Sequence, residues 1–233
     1  MIPILCYHKV GPIAEEGRFL NVEPERLRDH VLFFKRRNYS FVRAIDLVDP
    51  WPSRAVCLTF DDAYLSTMTH GVETLNSLQT TATFYAVPGY VGQSSNWDQR
   101  QARPLASWDV LSAAARDGHE IGNHSLAHPH LADLDYDGQS QQILDARTLL
   151  EEQGYLNTSL CYPFGSFNTK TLAVAKALGF KIAVTLQKGI ASPDHNKLAL
   201  PRITVACGDA IPLLLYKIFV RPKLPKSRKT VVQ

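Results

Sequence analysis

Apolar positions along the chain gather into short continuous runs: Ile2 to Tyr7, Ala55 to Phe60, Ala82 to Val87, His119 to Asn123, Ser159 to Tyr162, Lys181 to Leu186 and Leu200 to Val205. Most are unbroken and β-branched rather than alternating, the pattern of strands covered on both faces. Between them lie longer mixed segments that predict helices: Pro24 to Asn38, Ser66 to Leu78, Ser107 to Asp117, Tyr136 to Gln153 and Asn168 to Leu178. Gly118, Gly154 and Gly179 directly follow three of these segments, as left-handed caps do, and Pro24 stands where a helix can begin. Strand and helix in alternation predict a parallel sheet. About seven strands, with no repeat and no glycine-rich dinucleotide loop, predict a single α/β barrel, closed or nearly so.

Composition narrows the function. The chain has 233 residues, 45% hydrophobic and 20% charged, which excludes a disordered chain and a disulfide-dense miniature. Its formal net charge of +3 is unevenly placed, because Lys217, Arg221, Lys223, Lys226, Arg228 and Lys229 follow Asp209 with no acid among them. The body is therefore slightly acidic and shows no basic face interleaved with aromatics, so no nucleic-acid partner is expected. Cys6, Cys57, Cys161 and Cys207 form no C-x-x-C pair, and buried free thiols are the expectation. The opening Met1-Ile2-Pro3-Ile4 lacks the charged start and long apolar core of a signal peptide. That predicts a cytoplasmic protein or one at the cytoplasmic membrane face, and the cell envelope if a segment precedes Met1.

In a barrel, chemistry collects at the carboxyl ends of the strands. His8, the Asp61-Asp62 pair, His124 and the Tyr162-Pro163-Phe164 turn finish the apolar runs. Asp61 and Asp62 are neighbours, and neighbouring strand residues point to opposite sides, so a division of labour is expected unless the strand breaks there. A helix cap for the segment near Ser66 is the other reading. Four histidines lie between His119 and His130, and His124 with His128 stand four apart, a spacing that brings both imidazoles to one side if the chain turns helically. His119 and His130 read as a strand-edge and a surface histidine. One Asp with two His leaves open positions for water and substrate, a catalytic metal site suiting Zn, with Co, Ni, Fe or Mn as alternatives. Such an ion acidifies water and polarises a carbonyl, which points to hydrolysis of an unactivated bond.

Thr59-Phe60-Asp61-Asp62, His124-Ser125-Leu126-Ala127-His128 and Tyr162-Pro163-Phe164-Gly165 together resemble the three main motifs of the polysaccharide deacetylases with NodB homology, carbohydrate esterase family 4. The resemblance implies a distorted (β/α)7 barrel and metal-dependent removal of N-acetyl groups from an N-acetylated sugar or polysaccharide of the N-acetylglucosamine type. Carried over, Asp61 matches the general base and Asp62, His124 and His128 the metal ligands. The base would take a proton from metal-bound water, with a backbone N–H near Tyr162 and the metal holding the oxyanion. Tyr162, Pro163 and Phe164 would contact substrate. Ile4-Leu5-Cys6-Tyr7-His8 and Leu200-Pro201-Arg202-Ile203 are similar to the subgroup acting on poly-β-1,6-N-acetylglucosamine, whose acid motif is permuted to the front of the chain. That makes His8 the general acid, with His195 as the alternative.

Ala63 replaces the family's usual glycine, Cys161 stands where many members have an arginine that orients the base, and Trp108 reads as packing rather than a fourth motif. A metal amidohydrolase acting on a small non-sugar amide and a non-catalytic carbohydrate-binding relative are the alternative functions. The expected domain spans 1–209, followed by a basic C-terminal helix and tail over 210–233. For that tail the readings are a solvated terminus packing one helical turn and a weak anchor on anionic lipid, contributing membrane affinity but no catalysis.

Overall fold

The computed structural model describes residues 1–156 and 158–221. Its strands are β1 (Ile4–Tyr7), β2 (Lys9–Val10), β3 (Asn21–Val22), β4 (Ser40–Val42), β5 (Ala55–Phe60), β6 (Thr83–Ala86), β7 (Glu120–Asn123), β8 (Ser159–Cys161), β9 (Ile182–Lys188) and β10 (Leu200–Thr204). β1, β10, β9, β8, β7, β6 and β5 pair in parallel in that order, and β5 returns to β1 through Leu5 opposite Leu58 and Tyr7 opposite Phe60. The sheet is thus a closed seven-stranded barrel, as the motifs imply.

The barrel is distorted at β5, whose second edge is shared. Val56 pairs with Phe41 of β4 low on the strand, and Phe60 pairs with Phe84 of β6 higher up. A separate two-residue ladder joins β2 to β3. None of β2, β3 and β4 stands out as an apolar run, and each exists through a long-range pairing.

Helices cover the outside: α1 (Ile13–Glu16), α2 (Pro24–Lys35), α3 (Val72–Ser77), α4 (Trp108–Arg116), α5 (Tyr136–Glu152), α6 (Thr169–Ala177) and α7 (Ile211–Leu215). The helix expected from Ser66 begins as a π-helical turn, Thr67–Gly71, with no side-chain cap, so the two acids do not serve as its cap. Trp108 opens α4 and packs on the outer core.

Strand alternation sorts the layers. Leu5, Tyr7, Val56, Leu58 and Phe60 face outward into the cluster that includes Leu27, Val31 and Phe34 of α2. Ile4, Cys57, Tyr85, Cys161, Val184 and Leu200 form the inner cluster. Inside, β7 needs its glycine, because a Cβ on Gly122 would lie 2.6 Å from the Tyr85 ring. Cys6, Cys57 and Cys161 are buried, and all four cysteines are free thiols.

The apolar segment after Asp209 belongs to the same body. Leu214 of α7 and Ile218 of the following π-helical turn, Tyr216–Val220, are buried in the outer cluster, so a boundary after Asp209 would cut through the core. Lys223, Lys226, Arg228 and Lys229 lie outside the described residues.

His30 ties this segment down. Its Nε2 lies 2.7 Å from the Asp209 carbonyl and its Nδ1 2.9 Å from the Tyr7 hydroxyl. A carbonyl only accepts, so Nε2–H donates to it and Nδ1 accepts from Tyr7, which satisfies a neutral ring completely. Burial outweighs the Asp209 carbonyl and lowers the His30 pKa, so the unfolded chain binds this proton more readily. The stabilisation is present above the unfolded value of about 6.5 and is lost as pH falls through the lower folded value. The melting temperature should therefore drop more steeply below pH ~6.5 in the native chain than in His30→Gln; parallel slopes would clear His30 of this role.

Candidate active site

The alternation that builds the barrel also aims the site. Ile4 and Cys6 point inward, so His8 follows in phase; Cys57 and Thr59 bring Asp61 inward; Glu120 and Gly122 bring His124 inward. After Phe60 the strand breaks. Asp62 and Ala63 take left-handed backbone, φ +71° and +51°, which turns both neighbouring carboxylates into the mouth instead of to opposite faces. With alanine in place of glycine, this costs about 1 kcal/mol of backbone strain.

Asp61 is buried and gripped from below by Arg202 of β10. Arg202 Nη1 donates to Oδ1 and Nη2 to Oδ2, both at 2.7 Å, a two-pronged ion pair. The guanidinium also donates to Thr59 Oγ1 (3.0 Å), the Thr185 carbonyl (2.9 Å) and Cys161 Sγ (3.1 Å). Cys6 Sγ lies 3.5 Å from Asp61 Oδ2. Burial alone would raise the Asp61 pKa, but the charge and hydrogen bonds of Arg202 hold it well below the usual carboxylate range. Burial pushes both thiols up, so two neutral sulfurs flank the ion pair. Arg202 orients Asp61 where Cys161 leaves no arginine on β8.

Beside Asp61, Asp62 Oδ1 faces two imidazoles, 3.5 Å from His124 Nε2 and 3.2 Å from His128 Nε2. Burial lowers the His124 pKa to about 4, with help from the His128 charge. His124 Nδ1 sits 2.8 Å from the Cys161 carbonyl, which commits that nitrogen as donor and leaves Nε2 with a free lone pair. The Asp62 carboxyl is lowered against its burial by His128. Asp62, His124 and His128 each offer a ligand atom within 4.8 Å of the others. Asp62 Oδ1 is buried without a hydrogen-bond partner, although it converges with two imidazole nitrogens. An orphaned carboxylate oxygen at this point suits a divalent ion, and the donor set fits one.

The segment from His124 to His128 is a loop, not the helical turn expected from the four-residue spacing. Ser125 and His128 adopt φ +61° and +56°. Asn123 Oδ1 accepts from Ser125 N (2.8 Å) and Ser125 Oγ from His128 N (3.1 Å). Gly89 N–H donates to the Leu126 carbonyl at 3.0 Å, and a Cβ on Gly89 would lie 2.5 Å from that oxygen, so the loop seats only against glycine. Its outer side is aromatic. Trp97 stacks on His128 at 4.3 Å, and Phe164 meets the same ring edge-on at 4.4 Å. Tyr64 donates to Asp98, which also accepts from Ser95 Oγ (2.7 Å), and this tie holds the short helix carrying Trp97.

His8 joins the cluster. It offers a nitrogen within 4.8 Å of Asp61 and Cys6 ligand atoms, and its Nδ1 is buried without a partner. His195 does not join. It is exposed in the segment after Ala191, which pairs with Ile2 before β1, and Lys197 close by donates to the Leu47 carbonyl ahead of β5, so His195 stands at the opposite end of the barrel.

The Tyr162-Pro163-Phe164 turn divides. Cys161 faces inward, so Tyr162 faces outward, where its hydroxyl donates to the Leu198 carbonyl (2.8 Å) and its ring stacks on Phe167. Full burial in the helix layer removes the Tyr162 side chain from substrate contact, correcting the sequence expectation. Its N–H is directed to the Val184 carbonyl at 3.4 Å. Pro163 is buried as well. Only Phe164, exposed and stacked on His130, faces the mouth. His119 is a buried structural histidine, accepting from Ala82 N (3.1 Å) and bonded to Asn76 (3.0 Å).

Residues 49–183 match the profile of the polysaccharide deacetylase family. The chain belongs to that family. YxkH of Bacillus subtilis is 26% identical over 214 residues, covering 89% of this chain and 72% of that protein. A poly-β-1,6-N-acetyl-D-glucosamine N-deacetylase of Staphylococcus epidermidis is 21% identical over 214 residues, covering 87% of this chain and 73% of its own length. Among solved structures, the Streptococcus pyogenes deacetylase PplD in complex with acetate superposes with a TM-score of 0.80 at 24% identity, over 93% of this chain and 97% of that one, which establishes the shared fold. The protein is thus a carbohydrate deacetylase, an enzyme rather than a binding module.

Proposed function

We propose that this deacetylase removes N-acetyl groups from a polymer of N-acetylglucosamine, with Asp61 as general base, His8 as general acid and a divalent ion on Asp62, His124 and His128. The observation that carries the reading is the juxtaposition of an ionised, Arg202-held carboxylate with a buried Asp–His–His set whose carboxylate oxygen lacks a partner. The ion would supply Lewis acidity, polarising the acetamide carbonyl and lowering the pKa of water; the nitrogen and oxygen donors suit Zn, and also Co, Ni, Fe or Mn.

The chain's own groups divide the proton work. Arg202 keeps Asp61 ionised and fixes its plane, and Asp61 accepts the proton of the attacking water. His8, across the mouth from His124, hands a proton to the sugar nitrogen as the C–N bond breaks. Trp97 and Phe164 restrict the motion of His128 and exclude water from its outer side, and Phe164 offers an apolar edge to the incoming sugar. The S. epidermidis relative and the His8 motif support a β-1,6-linked glucosamine polymer as the substrate.

Acetate release from N-acetylated β-1,6-glucosamine oligomers, compared with peptidoglycan fragments and small acetamides, tests the assignment, with bound metal measured on the same sample. Release from small non-sugar amides alone would overturn it. For the acid, His8→Ala should lower turnover by ~10²-fold or more without loss of metal, whereas His195→Ala should match the native enzyme. The reverse ranking would move the role to His195.

A further inference from the structure

Among the described residues no helix is long and apolar enough to cross a membrane. The C-terminal segment nevertheless turns an apolar face outward. Leu214 and Ile218 fill the core, while Leu213, Tyr216, Phe219 and Val220 on the other side are each 42% to 46% exposed, and exposed Pro212 continues the face. No charged side chain interrupts it; Lys217 is drawn aside to Asp209 and to the Thr204 carbonyl. Arg221 follows directly, and the next residues bring Lys223, Lys226, Arg228 and Lys229 with no acid.

We propose that this outward face, together with the basic stretch that follows it, docks the protein on an anionic lipid surface. The chemistry divides in the manner of an interfacial segment: aliphatic and aromatic side chains enter the boundary of the acyl chains, the Tyr216 phenol sits at headgroup level, and the bases meet the lipid phosphates. Charge selects lipid over a second copy, because a two-fold contact through this face would bring the same bases together with no acid to answer them. α7 begins just beyond β10, whose carboxyl end lies at the same end of the barrel as Asp61 and His124.

The full-length protein tests the idea, since ending the chain at Asp209 would remove Leu214 and Ile218 from the core. Co-sedimentation with vesicles of phosphatidylcholine containing about one quarter phosphatidylglycerol should show binding that weakens with salt and is much lower on phosphatidylcholine alone. Leu213→Ser combined with Phe219→Ser should cut that binding by about tenfold while acetate release from soluble oligomers and the melting temperature stay at native values. Charge reversal at Lys223 and Lys226 should abolish the preference for anionic vesicles. Absence of native binding to the anionic vesicles, native-level binding by the double serine variant, or a native dimer that the variant converts to monomer would each overturn the proposal.

Discussion

His124→Ala is expected to empty the metal site and cut acetate release by at least ~10³-fold, the equivalent of several kcal/mol of lost charge stabilisation at about 1.4 kcal/mol per decade. The reason lies in how few ligands there are. The site offers one carboxylate oxygen and two imidazole nitrogens, and His124 is the one whose second nitrogen is committed to the Cys161 carbonyl. That bond sets the tautomer, so Nε2 arrives at the site as a ready lone pair. Without it, Asp62 and His128 alone grip weakly, and water takes the vacated place. His119→Ala is the matched control: it removes a buried histidine bonded to Ala82 N and Asn76, so stability should fall while metal content per folded molecule stays native. Metal analysis after dialysis, alongside turnover, separates the two. Native metal content in His124→Ala would sink the assignment of the ion to this set.

The barrel was legible because its strands are covered on both faces and therefore read as unbroken apolar runs. The site was legible for a related reason: its residues finish those runs, and Asp61, Asp62, His124, His128 and His8 all stand at strand ends. Two readings differ from the structure, one by a single residue's phase and one by the local backbone. Tyr162 looked like a mouth residue, yet one step of alternation from inward-facing Cys161 sends its ring into the helix layer. His124 and His128 looked like one face of a helix, yet Asn123 and Ser125 offer local hydrogen bonds that favour a left-handed loop.

What stayed hidden depends on pairings across long stretches of chain. Trp97 reaches His128 because Asp98 is tied to Tyr64, and β4 exists because it borders the lower half of β5. Arg202 is the intermediate case. Its Leu-Pro-Arg-Ile context marked it as similar to the permuted subgroup, and the inward phase of Leu200 placed its side chain inside the barrel. Only the closure of β10 onto β1, and of β1 onto β5, shows that this guanidinium ends beneath Asp61.

That closure gives Asp61→Asn two separable consequences. Turnover should fall by ~10²- to 10⁴-fold, the size of a lost general base, while the metal stays bound, because Asp62, His124 and His128 are untouched. Stability should fall by about 3–5 kcal/mol, because Arg202 is then a fully buried cation whose nearest carboxylate has been replaced by a neutral amide. Asp61→Asn with Arg202→Met distinguishes the two. Removing the stranded guanidinium should restore much of the melting temperature without restoring acetate release, since an amide accepts no proton from water at neutral pH. Recovery of activity along with stability would mean that Asp61 serves to neutralise Arg202 rather than to act as the base. Loss of metal in the single variant would mean that Asp61, and not only Asp62, lies in the ligand set.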